Sequence, residues 1–292
     1  MGSFSLVPIF MLLLAGINYG LIFPVNSLAA LANATFLGHA FWQTMLSGTL
    51  LLTLVMIRGQ VLSFSPVAIK AYFLVGIFGF SVPMSVLTLV APKIPVGVAS
   101  LVMGLSPSFT FILGVLIGIE RISLLGILGI ILGFIGLLIL FLPELSLPSS
   151  DIIPWFSLAL VTPICLAIAN VSAGRFRPKG VTSLSMGAGF LLASAIAILP
   201  MLIIFDQFYW PINEEIVTPT LVASLINCVH IVLFAEIVKR YGPVFFSQFN
   251  YVVVIFAMIW AFILFKEIPS VALLLCLFFV GAGIALSGIR KR

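Results

Sequence analysis

His230 sits deep in a long apolar run, TLVASLINCVHIVLF, and is the titratable residue nearest the middle of any such run. Asn227 lies three residues earlier, on the same face of a helix. An imidazole at that depth can take a proton or hydrogen-bond a cargo, and it can also rest neutral against a neighbouring helix. Asn18, Tyr19 and Asn26 gather around Pro24, whose missing N–H frees a carbonyl near Gly20. A kinked, polar-lined helix of this kind suits a substrate path, and it also suits close helix packing. Trp42 offers a stacking face and Gln43 an amide, although Trp42 equally fits an interfacial aromatic belt. Pro83 and the Ser106-Pro107 pair open hydrogen-bonding positions in their helices, as hinges or cavity walls. Gln248, Asn250 and Tyr251 spread around one helix, so they cannot all face one cavity; Asn250 and Tyr251 are the better candidates.

The candidate substrate-binding residues are therefore Asn18, Tyr19, Trp42, Gln43, Ser106, Asn227, His230, Asn250 and Tyr251. His230, Pro24, Pro107 and Glu236 are the candidates for coupling or gating. Glu236 precedes Lys239 and Arg240 at i+3 and i+4, which predicts a local ion pair, with an inner gate as the competing role. Glu120 and Glu267 each close one apolar run and begin the next. A carboxylate there meets the positive end of a helix dipole, so a structural helix-end role is expected ahead of a gate. No carboxylate falls near the middle of a run, which argues against a carboxylate proton relay. Cys165, Cys228 and Cys276 lie inside apolar runs with no CxxC pairing, so neither a metal site nor a disulfide framework is expected. There is no HExxH, nucleophile elbow or phosphate-binding GxxxxGK[ST] loop, so neither an enzyme nor an ATP-driven pump is indicated, and no cofactor is implied.

The elements that carry these residues are membrane spans. Hydrophobic residues make up 63% of the chain and charged residues 7%, far from the soluble norm of about a quarter charged. The apolar runs are too long, and too lacking in period-two alternation, for a membrane β-barrel. Helical spans are expected at 7–31, 36–57, 69–91, 95–118, 122–142, 152–174, 181–205, 218–239, 243–265 and 269–289. The first is too long for a signal-peptide core and reads as a retained helix. The fold class is thus all-α integral membrane, with ten transmembrane helices.

The chain repeats itself at an offset of 147 residues, with Glu120 facing Glu267, Ser123 facing Ser270 and Gly136 facing Gly283. Five spans per copy is an odd number, so the second copy must enter the membrane from the opposite side. Two inverted five-helix repeats, 1–148 and 149–292, are expected. With the N-terminus cytoplasmic, eleven Lys and Arg fall on the cytoplasmic side and only Lys93 and Lys266 on the other. Both termini are then cytoplasmic, and the net charge of +5 is a topology signal. The basic residues are scattered over loop ends, so nucleic acid is not an expected partner. Glycines 126, 129, 133, 136, 281 and 283 suit close helix approach.

Each half ends in a small-residue-rich span, then Glu, then a Gly-rich span. The matching segments run from Pro95 to about Leu140, with Pro107 and Glu120-Arg121, and from Gly242-Pro243 to about Gly288, with Lys266-Glu267. In this the chain resembles the EamA-type drug/metabolite transporters. The resemblance implies a membrane exporter of amino acids or other small metabolites in a bacterial-type inner membrane. Many members carry an Arg early in the second span of a repeat; here that stretch is HAFWQTMLSG, which weakens the case for anionic cargo.

The expected function is secondary transport of a small neutral or zwitterionic metabolite by alternating access about a central pocket. A lipid or lipid-linked metabolite flippase is the alternative, and a channel is a third reading, disfavoured by the lack of a charged ring. The partners expected are the small-molecule substrate and the bilayer. One chain holds both repeats, so a monomer suffices and a dimer is optional.

Overall fold

The computed structural model describes residues 7–119, 124–140, 150–268 and 270–288, and among these every regular element is helical. Eight helices are long and apolar enough to cross a membrane: α1 (Val7–Leu31), α2 (Phe36–Ile57), α3 (Pro66–Val90), α4 (Val96–Leu116), α6 (Ile153–Arg175), α7 (Ser183–Ile204), α8 (Glu214–Tyr241) and α9 (Pro243–Phe265). Two further helices, α5 (Leu124–Leu140) and α10 (Val271–Gly288), pack against each other. α8 begins a turn earlier than its hydrophobic run because Asn213 caps it, its Oδ1 accepting from the Glu215 N–H at 3.3 Å.

Proline places the breaks in the helices. α1 is interrupted after Gly20, α4 after Met103 and α6 after Ala159. Each of those residues stands four before a proline: Pro24, Pro107 and Pro163. The proline has no N–H to give that carbonyl, so the ladder fails there. The linking residues Leu21, Leu105 and Leu160 stay in the αR region with ψ of −17°, −17° and −16°. α9 breaks at Gln248 with the same geometry, ψ −18°, but without a proline four residues after the break. In α3, residues Ile77–Ser81 form one π-helical turn just before Pro83, and Ser81 Oγ donates back to the Gly76 carbonyl at 3.2 Å.

Equivalent pieces of the two halves make equivalent contacts. α1 packs on α9 as α6 packs on α4; α2 packs on α8 as α7 packs on α3; α1 packs on α8 as α6 packs on α3; and α2 and α7 pack on each other. Side chains repeat the pattern. Thr35 and Thr182, 147 residues apart, cap α2 and α7, accepting from Gly38 N at 3.2 Å and Ser185 N at 3.2 Å. At one end of the bundle Thr35 Oγ1 donates to the Gln207 carbonyl at 2.6 Å. At the opposite end Thr182 Oγ1 donates to Gln60 Oε1 at 2.7 Å, and Gln60 and Gln207 are again 147 residues apart. These ends are called below the Thr35 end and the Gln60 end.

Small residues let backbones touch where polar groups must meet. A β-carbon on Gly76 of α3 would lie 2.7 Å from the Phe190 carbonyl oxygen and 2.8 Å from the Ser194 nitrogen of α7. That proximity lets Ser81 Oγ reach Ser194 Oγ at 2.9 Å. We expect Gly76→Val to cost about 1–3 kcal/mol, the usual penalty for overpacking where backbone cannot yield. A lowered thermal unfolding midpoint in detergent, compared with Gly281→Val at an open helical position, checks this.

Candidate functional site

The broken helices α1, α4, α6 and α9 surround a narrow internal cavity with α3 and α8. It has room for little more than a water-sized guest as it stands. His230 of α8 forms one wall and is 6% exposed. Its ring stacks on Tyr19 of α1 with centroids 4.0 Å apart and an interplanar angle of 29°. Phe249 lies 4.9 Å away, and Phe246, Phe80 and Phe234 complete an aromatic surround at 6.0, 6.1 and 6.3 Å. No charged side chain lines the cavity.

Two buried polar atoms on its walls lack protein partners: His230 Nδ1 and Asn250 Oδ1. The other end of the Asn250 amide is spent on the Ser247 carbonyl at 3.1 Å, where the α9 break leaves it accessible. Asn170 of α6 also faces the cavity and donates to Thr110 Oγ1 at 3.2 Å. A buried group without a partner costs free energy, and a cargo that supplies the missing bonds recovers it. Two wall pairs are repeat equivalents, 147 residues apart: Tyr19 with Leu166, and Met103 with Asn250.

Other residues singled out from sequence stand elsewhere. Gln43 and Asn227 are fully buried and bonded to each other, Asn227 Nδ2 donating to Gln43 Oε1 at 3.0 Å, away from the cavity wall. They belong to a polar seam between α2 and α8. Ser47 Oγ donates to the Ser224 carbonyl at 2.9 Å, Cys228 Sγ to the Ser47 carbonyl at 3.5 Å, and His39 Nδ1 lies 3.3 Å from Thr220 Oγ1. His39, Gln43 and Ser47 recur every four residues on one face of α2, the sequence signal that would have found this seam. Asn18 is half-buried and donates to the Ile226 carbonyl of α8 at 3.0 Å. Ser106 and Tyr251 each keep a buried hydroxyl without a partner, but neither lines the cavity. Pro24 and Pro107 stand just past the breaks in α1 and α4.

Trp42 lies at the Thr35 end. Its Nε1 donates to the Tyr209 carbonyl at 2.7 Å and its ring meets Phe208 and Trp210. The segment between α7 and α8 thus folds over the start of α2, held also by the Leu37 N–H on Gln207 Oε1 at 3.2 Å. Tyr209 presses on Gly38, where a β-carbon would come within 2.4 Å of its ring.

Glu236 belongs to the Gln60 end. It pairs with Arg240 Nε at 2.5 Å and accepts from Ser183 Oγ at 2.5 Å. Arg177 spans the same junction, donating to the Ala235 carbonyl at 2.7 Å and to Ser183 at 3.1 Å. Burial pulls the Arg177 guanidinium below its ordinary pKa, and Glu236 opposes that shift. Glu267 accepts from the backbone N–H groups of Val96 and Gly97 at 3.2 and 3.3 Å. The helix start it meets is that of α4, reached across the fold, rather than that of the helix following it in sequence. Glu120 lies outside the described residues. Cys165 and Cys228 are buried free thiols, and no metal-binding cluster occurs among the described residues.

Residues 6–142 match the model of the EamA-like transporter family. A protein of Archaeoglobus fulgidus, described as an uncharacterized transporter, is 34% identical over 121 residues, which cover 40% of this chain. The match spans less than half of that relative's length, 42%. One solved crystal structure, 20% identical in sequence, aligns over 94% of this chain and 95% of its own with a TM-score of 0.67, which shows a shared fold.

The seam yields a prediction. Gln43→Leu strands the Asn227 amide in the interior and should cost about 1–3 kcal/mol. Adding Asn227→Leu should recover most of that loss, because no polar group is then left unpaired. A double-mutant cycle on thermal unfolding in detergent measures both effects.

Proposed function

With residues 6–142 matching the EamA-like transporter family, we propose that the whole chain is a secondary transporter that moves a small, uncharged or zwitterionic metabolite, such as an amino acid, outward across the membrane. The observation that carries this reading is the cavity. It lies where both halves meet, its walls include residue pairs 147 positions apart, and two of its polar atoms await partners. Family membership over the first half points to transport rather than catalysis.

In this reading the ten helices form two inverted five-helix repeats, 1–148 and 149–292. The paired packing of α1 on α9 and α6 on α4, and the Thr–Gln pairs at opposite ends of the bundle, support it. The scattered basic residues put the Gln60 end and both termini in the cytoplasm of a bacterial-type cell. The repeats rock about the cavity, opening it at one end and then the other, with the prolines of α1, α4 and α6 giving each helix a joint. A single chain contains the whole path. Aromatic walls without charge favour a cargo with a flat or apolar part and no net charge. The enclosure of Tyr19, His230 and Asn250 favours a soluble cargo over a lipid.

Counterflow in proteoliposomes, with unlabelled amino acids inside and labelled ones outside, tests this. Saturable exchange by some of them is expected. Asn250→Leu removes a cavity acceptor and should raise the half-saturation concentration about tenfold, as loss of roughly 1.4 kcal/mol would. Trp42→Leu, at the Thr35 end, should leave it within about twofold. Exchange that never saturates would sink the carrier reading.

A further inference from the structure

His39 is a second buried histidine, and its surroundings differ in kind from those of His230. Its side chain is 0% exposed. Both ring nitrogens have partners: Nδ1 lies 3.3 Å from Thr220 Oγ1 of α8 and Nε2 lies 3.1 Å from Asn26 Oδ1 of α1. The Thr220 hydroxyl spends its hydrogen on the Ile216 carbonyl at 2.7 Å, so towards His39 it can only accept. Nδ1 therefore carries a proton. Nε2 faces an amide oxygen, which also accepts, so this arrangement satisfies an imidazole with two N–H groups. Asn26 Nδ2 has no partner at present. Turning that amide over would offer Nδ2 to Nε2 and satisfy the neutral ring equally well. One side-chain rotation thus accommodates the proton's arrival or departure, with one atom of the Asn26 amide unpaired in either state.

The surroundings contain no fixed opposite charge. α3 and α7, which pack on α2, carry no titratable residue near His39; the one ionisable side chain of α3 that lies deep in the fold, Tyr72, sits towards the Gln60 end. From α8 the facing groups are Glu214 and Glu215, exposed at the helix start, and the Cys228 thiol farther in. From the covering segment they are Asp206, which is exposed, and Tyr209, whose phenol burial pushes up to about 12 and so keeps neutral. Access is governed by that segment, since Gln207 and Tyr209 are tied to Thr35, Leu37 and Trp42 directly over the start of α2. The opposite end has a corresponding latch, Thr182 with Gln60, but the residue equivalent to His39 is Met186, which binds no proton. The two ends therefore differ in this respect.

We propose that His39, held between Asn26 and Thr220, is the proton-binding site of this transporter, loaded from the Thr35 end when the segment over α2 lifts. Coupling of that proton to transport rests on the transport reading; proton binding by His39 does not. His230, with Nδ1 unpaired among aromatic rings, is left to the cargo.

The chain has only two histidines, which makes a direct test practical. The protein is labelled with 15N-imidazole histidine, placed in lipid nanodiscs and followed by NMR between about pH 4 and pH 9, a range that brackets ordinary imidazole titration. His230→Gln assigns the two sets of signals. We expect the His39 nitrogens to change from the separated positions of a neutral ring to the paired positions of a doubly protonated one as pH falls. Asn26→Leu should abolish that change, whereas His230→Gln should leave it intact. Neutral-tautomer signals at every pH at which the protein stays folded would overturn the proposal. In proteoliposomes, a pH gradient should then accelerate counterflow at least fivefold in the wild type and not in His39→Gln, whose amide keeps a hydrogen-bonding group at the site. Titration of His39 with equal acceleration in His39→Gln would overturn the coupling role. Titration with no counterflow in any variant would leave the proton site standing and count against the transport reading.

Discussion

Inside a bilayer a polar group has no water to fall back on, and this one constraint organises the molecule. Where proline withholds an N–H in α1, α4 and α6, the helix divides, and the divided helices are the ones that wall the cavity. Where amides and hydroxyls enter the interior they do so in register, as the seam of His39, Gln43 and Ser47 against Thr220, Asn227 and Ser224. Interhelical hydrogen bonds in membranes average about 0.6 kcal/mol each, so no single one holds α2 to α8. Their weight lies in what separation would leave unpaired. Among the buried atoms without a partner, His230 Nδ1 and Asn250 Oδ1 stand on the cavity wall, where a guest can satisfy them.

Symmetry accounts for much of the packing, and departures from it account for the chemistry. Ser47 meeting Cys228 is the counterpart of Ser194 meeting Ser81. Thr35 with Gln207 mirrors Thr182 with Gln60. These pairs are small, local and nearly interchangeable. Across the cavity the equivalence fails: Tyr19 corresponds to Leu166, Asn250 to Met103 and His39 to Met186. The packing pairs recur at both ends of the bundle, while the residues at the cavity and at His39 differ between the halves.

Much of the architecture was legible in the sequence because lipid imposes length and hydropathy on every span. The run 243–265 matches α9 end to end, with its one break at Gln248, and α8 exceeded its hydrophobic run only because Asn213 caps it. The break in α1 was legible from Pro24, down to the carbonyl near Gly20, whereas the break at Gln248 in α9 has no such proline to announce it. Tyr19, His230 and Asn250 could be chosen as polar or titratable residues at depth, and they do meet. Gln43 and Asn227 looked like the same kind of residue, but they bond to each other, and a pairing 184 positions apart leaves no trace in either local pattern. Trp42 carries an ambiguity that only the covering segment resolves, since its partner is a backbone carbonyl at Tyr209. His39 escaped notice because it lies near a span end by counting, yet Thr220 and Asn26 enclose it completely.

Gly38 gives the Thr35 end an adjustable stop. The Tyr209 ring rests where a β-carbon would be, so the bare backbone at this position sets how far the covering segment can settle onto α2. A single methyl group there would act as a shim, holding the segment off its hydrogen bonds to Thr35, Leu37 and Trp42 without touching the cavity or the histidines. How closely the covering segment packs on α2 is then set by the smallest side chain in the protein.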